Sequence, residues 1–177
     1  MRGVECQFGH TTITAWENDI AQVVERLDVD TPLQKALSGT LECIPLYGDA
    51  LIQNWKERIT DYPDALAQAL VAQHLRFNPV WLLEERVATR DATLWWNRML
   101  LDTSHNLLAV LAGLNRVYFT TFQFKRMRRF INQLQITPND LAARLDGLFC
   151  EDRRSAADEL EALVRETLDL VVPQCHK

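Results

Sequence analysis

Arg98, Asp102 and His105 stand at i, i+4 and i+7 inside the long apolar stretch "DATLWWNRMLLDTSHNLLAVLAGLNRVYF". On a helix that spacing sets them along one stripe, which continues through Ala109 and Gly113 to Arg116. A guanidinium, a carboxylate and an imidazole above small residues could form a cleft floor for an anionic or polar ligand. The arginine would offer a planar donor fork and the histidine a group that titrates near neutral pH. The same spacing equally fits an Arg98–Asp102 ion pair beside a hydrogen-bonded histidine in a crowded bundle, since such pairs arise often on helices.

A second chemical feature lies in "FQFKRMRRFINQL", where Lys125, Arg126, Arg128 and Arg129 alternate with Phe124, Met127, Ile131 and Leu134. The apolar set recurs at helical spacing and can dock, which leaves the charges outside. With Arg116, about five charges could hold a single-stranded nucleic acid weakly, and counterion release would cut that affinity on the order of a hundredfold between 50 and 200 mM salt. The whole chain is acidic, with a formal net charge of −5 and pI ≈ 5.4. The patch therefore reads as a solvated face or as the rim of an anion-accepting cleft, with no specific nucleic-acid partner.

Other chemistry is sparse. His74 sits in an apolar helical run and reads as a structural histidine, and Cys175–His176 is a weak metal pair near the end of the sequence. Cys6, Cys43, Cys150 and Cys175 form no C-x-x-C pair, so neither a zinc site nor a redox motif is indicated. There is no Gly-rich phosphate loop, G-x-S-x-G elbow or Asp-x-Asp pair. The sequence thus contains no complete catalytic set and no metal site. It also lacks an apolar h-region and any run of 18 apolar residues, so a cytoplasmic protein without a membrane partner is expected.

The elements that must position these residues are helical. With 177 residues, 47% hydrophobic and 24% charged, one domain with a sizeable core is expected. Residues 1–13 read as a short extended lead-in and 14–173 as an all-α, antiparallel helical bundle. Thr14 and Glu17 suggest a capping box at the first helix, and Thr31–Pro32 opens a second that Gly39 should stop. Asn78–Pro79 and Thr137–Pro138 repeat the cap-plus-proline device. The stretch from Asp91 to Phe119, proline-free and apolar around most of its circumference, is the expected central helix.

Two resemblances bear on function. The six residues between Arg98 and His105 resemble the Arg-x(4 to 6)-His motif of the helical HEPN ribonucleases of bacterial toxin systems, although Met99 replaces the usual polar residue after the arginine. That resemblance implies metal-free RNA cleavage, with the histidine handling protons, the arginine the phosphate, and the site formed across a dimer.

The second resemblance covers roughly residues 3–172. The order "PLYGDALIQNWKERITDYPDALAQALV", "LLEERVATRDATLWWNRMLLDTSHNLLAVLAGLNRVYF", "FKRMRRFINQL" and "TPNDLAARLDGL" resembles the helical domain of unknown function that follows the core of aminoglycoside-type nucleotidyltransferases in many bacterial proteins. It implies an upstream α/β core whose Gly-Ser turn and Asp-x-Asp pair bind NTP and Mg²⁺. Neither motif is present here, and only Glu5 in "VECQF" could match the core's third acid. In-line transfer needs carboxylates to hold the metal. The resemblance therefore implies a non-catalytic fragment or remnant, inactive alone, that would need Mg²⁺ and NTP only alongside a core. It also implies that Asn115, Arg116, Tyr118 and Lys125 contribute to an acceptor site. The partners it admits are a nucleotidyltransferase core, a small-molecule acceptor or a second copy of the chain. The competing expectation is a protein-interaction or toxin–antitoxin module.

Overall fold

The computed structural model describes residues 3, 6, 8–88, 90–150 and 152–172. Among them every regular element is helical, as expected, and none is a strand. Glu5, Cys175 and His176 lie outside the described residues. The α-helices are α1 (Ile13–Val24), α2 (Leu33–Glu42), α3 (Asp49–Thr60), α4 (Asp64–His74), α5 (Glu84–Ala88), α6 (Thr93–Leu114), α7 (Met127–Ile131), α8 (Leu141–Gly147) and α9 (Arg153–Val171). Short 3₁₀ turns at Val80–Leu82 and Thr121–Arg126 precede α5 and α7.

Several ends differ from the sequence reading. Thr12, not Thr14, caps α1 by accepting a hydrogen bond from the Ala15 amide at 3.1 Å, and Glu17 accepts one from the Trp55 indole at 3.3 Å instead of closing a box. Gly39 does not stop α2, which runs on to Glu42. The central helix is shorter than expected, because Arg116 takes a left-handed φ of 52° just past Leu114. The Asn78–Pro79 start gives only a 3₁₀ turn and a short helix, and α8 begins at Leu141 behind a left-handed Asp140.

α6, about 33 Å long at 1.5 Å per residue, packs against α4 and α9 and forms the spine of the larger core. Leu107, Leu108, Val110 and Leu111 are essentially inaccessible there. Leu141, Leu145 and Leu148 join it from α8 and its end, and Leu160 and Leu163 from α9. A smaller core gathers Ile20, Val23, Leu37, Trp55, Ile59 and Leu66 from α1 to α4. Gly113 lets α4 and α6 touch: a Cβ there would stand 2.7 Å from Val71 Cγ2 and 3.0 Å from the Ala67 carbonyl oxygen.

Polar clamps fix the segments beyond α6. Gln34, fully buried, donates to the Val29 carbonyl at 2.8 Å and accepts from the Phe119 amide at 3.1 Å. Arg144 ties α8 to α9 through Glu159 and through a fork on Glu166 at 2.8 Å. The shared hydrogen bonds hold Arg144 above and Glu166 below their ordinary pKa ranges. Mutual satisfaction in a half-covered setting makes this an ordered junction instead of a floating surface pair.

Candidate functional site

The Arg98, Asp102 and His105 stripe exists as a helix face, but its members do different things. The Arg98 Nε hydrogen bonds both Asp102 oxygens at 2.8 and 2.6 Å, and its side chain remains 72% exposed. His105 turns inward, its ring 5.2 Å from that of His74, 5.4 Å from Phe119 and 5.9 Å from Phe124. Burial, then the neighbouring His74, pushes the His105 pKa down, so the neutral ring is favoured; Asp102 and Asp30 oppose this weakly. The small residues farther along receive α4: Gly113 meets Ala67 and Val71 of the chain itself.

His105 and His74 line a cavity of about 250 Å³ with Asp30, Thr31, Thr120 and Phe122 among its other walls. Asn106 donates to the Arg76 carbonyl at 2.7 Å, which aims its Oδ1 at His74 Nδ1, 2.9 Å away. That places a proton on Nδ1 and leaves Nε2 facing Asp30 at 3.9 Å. Arg98 is absent from the lining of this cavity. Among the described residues no group of three His, Cys, Asp or Glu side chains is arranged to hold a metal ion.

The residues implied by the nucleotidyltransferase resemblance are dispersed. Asn115 is committed to backbone: its amide donates to the Leu111 and Ile136 carbonyls at 2.7 and 2.8 Å, and its oxygen accepts from the Gln135 and Ile136 amides at 2.7 and 2.8 Å. Arg116 pairs with Asp64 at 2.6 Å at the start of α4. Tyr118 is buried, donates to the Ile59 carbonyl at 2.8 Å and packs on Tyr62, with ring centroids 4.9 Å apart. Burial raises the pKa of both phenols. Of the four, Lys125 lines a cleft.

That cleft, about 710 Å³, opens between α6, the turn leading into α7, and α8. Its lining includes Leu101, Leu108, Phe124, Met127, Leu145 and Phe149 with the cations at 125, 126, 128 and 129 along its edge. Of the expected docking face, Ile131 and Leu134 are buried, with Phe130 beside them, while Phe124 and Met127 are half-buried and line the cleft. The α-helix itself covers only 127–131, so the cations fan out around a mouth. Two of them are engaged: Arg128 with Asp146, and Arg129 with Glu42 at 3.0 Å. Lys125 and Arg126 have no acidic partner among the described residues, and the Lys125 Nζ lies 5.2 Å above the Phe122 ring.

No family model, curated protein or solved structure matches the chain.

Sequence reasoning found the cations and missed the residues beneath them. Phe149 and Leu145 come from α8 and its end, some twenty residues away, and only tertiary contact brings them under Lys125. Ser104 gives no signal in the sequence either. It is 6% exposed, lies on the cleft lining, and its hydroxyl has no hydrogen-bond partner among the described residues.

Proposed function

We propose that this chain is a non-catalytic helical binding domain, the companion of a nucleotidyltransferase-like core, and that its ligand is an anion held at the mouth of the α6–α7–α8 cleft. One observation carries the site: Lys125 and Arg126, adjacent and without ion pairs among the described residues, line a cleft of about 710 Å³. Its volume lies in the range of small-molecule sites, and its apolar lining with a few polar groups is their usual makeup. The companion role rests on the sequence resemblance. A small acceptor carrying negative charge, or an acidic segment of the core, would meet the same two cations.

The test is thermal unfolding of the chain with tripolyphosphate as a probe anion. Occupancy at about a hundred times the dissociation constant stabilises the folded state by about 2.7 kcal/mol, which is roughly 5–10 °C in Tm for a chain of this size. The shift should vanish in a Lys125→Ala/Arg126→Ala variant and persist in Arg98→Ala. A shift that survives the double variant and disappears with Arg98→Ala would move the site to the α6 stripe. In the same preparations, nucleotidyl transfer from ATP with Mg²⁺ by the isolated chain would overturn the non-catalytic reading.

A further inference from the structure

Resting on that cleft reading and extending it, we infer that the ligand is amphiphilic: a single-chain anion, such as an alkyl phosphate or carboxylate, with its head at Lys125 and Arg126 and its tail on the apolar floor.

The floor argues for the tail. Leu101 and Phe149 line the cleft yet remain 42% and 49% exposed. Leu108 and Leu145 on the same lining are buried, so an incoming aliphatic chain would cover at Leu101 and Phe149 apolar surface that the fold leaves in water. A small hydrophilic anion would leave it there. An aliphatic chain also asks for no hydrogen bonds, and the floor has few to give: Arg128 occupies Asp146, and the Ser104 hydroxyl is buried. The head is set by charge. Lys125 and Arg126 are the rim cations without an ion pair among the described residues, and a phosphate or carboxylate would complete them with charge-assisted hydrogen bonds. A cationic head would meet Lys125 and Arg126, whose charges no acidic partner among the described residues offsets, and be repelled.

A free, monomeric amphiphile differs from a membrane surface in that its tail must leave water and enter the cleft. Titration calorimetry with methyl, butyl, hexyl and octyl phosphate, each below its critical micelle concentration, measures this. Affinity should rise about fourfold per added methylene, on the order of two hundredfold from butyl to octyl phosphate. Octyltrimethylammonium should not bind. Lys125→Ala/Arg126→Ala should lower octyl phosphate affinity by about tenfold or more. Leu101→Ala/Phe149→Ala, at half-exposed positions that spare the fold, should flatten the chain-length dependence while leaving methyl phosphate unchanged.

Equal affinity for methyl and octyl phosphate, both lost in the double cation variant, would refute the apolar half and keep the anion cleft. Octyl phosphate binding indifferent to Lys125 and Arg126 would refute both. Binding to phosphatidylglycerol vesicles without binding to monomeric octyl phosphate would assign the surface to membranes instead. A Glu/Leu amphipathic peptide that displaces octyl phosphate and binds more tightly would assign it to a partner helix.

Discussion

Replacing Gly113 by alanine should destabilise the protein, although the same change inside an ordinary helix stabilises it. Alanine gains roughly 0.5–1 kcal/mol over glycine in a helix interior because it loses less backbone freedom on folding. At position 113 the new Cβ meets Val71 Cγ2 at 2.7 Å and the Ala67 carbonyl oxygen at 3.0 Å. The valine is held near one rotamer by its own helix, and the carbonyl moves only if α4 moves. Overpacking of this kind costs about 1–3 kcal/mol. Subtracting the helix gain leaves a net loss of about 0–2.5 kcal/mol, centred near 1, a fall of up to roughly 10 °C in Tm. Gly39 supplies the control: it lies inside α2, and a Cβ added there would have nothing within 4 Å, so Gly39→Ala should gain roughly 0.5–1 kcal/mol. Urea unfolding of both variants, and of Gly113→Ala combined with Val71→Ala, reads the effect. The combination should recover part of the loss through coupling of the two neighbours. Equal stabilisation by both glycine replacements would refute the close α4–α6 contact.

Asn115→Ala should cost about 2–4 kcal/mol, since it removes a side chain that serves two carbonyls and two amides at roughly 1 kcal/mol each; chemical denaturation checks this. His105 has a lowered folded pKa, so the unfolded chain takes up more protons as pH falls through the ordinary histidine range. Its contribution to stability should be full above about pH 6.5 and decline below it, and His105→Phe should flatten the stability profile between about pH 7 and 5. Labelled oligonucleotides, followed by anisotropy, should lose only about sevenfold in affinity between 50 and 200 mM salt, because two uncommitted cations release few counterions. A hundredfold loss would mean that all five cations engage.

The helices are legible in the sequence because proline starts, polar caps and apolar periodicity agree along most of the chain. Their ends are not. Arg116 takes a left-handed φ that nothing in an arginine announces, next to an Asn115 whose side chain is committed to four backbone groups; Asp140 does so too, a residue type that tolerates this conformation but more often adopts others. The α6 stripe is legible as a line of residues but not as a contact: Gly113 admits α4, while Arg98 faces solvent. The cluster of cations at Lys125 and its neighbours can be read from the sequence alone. Which of those charges are neutralised, by Glu42, Asp64 or Asp146, depends on residues 18 to 87 positions away, and no local pattern carries that.

The central claim is that the α6–α7–α8 cleft, and not the His74–His105 cavity, receives the anion. Amide chemical-shift mapping of the ¹⁵N-labelled chain during a tripolyphosphate titration tests it most directly. Saturable shifts should concentrate at Leu101, Ser104, Lys125, Arg126 and Phe149. Shifts confined to Asp30, Thr31, His105 and Thr120 would contradict the account.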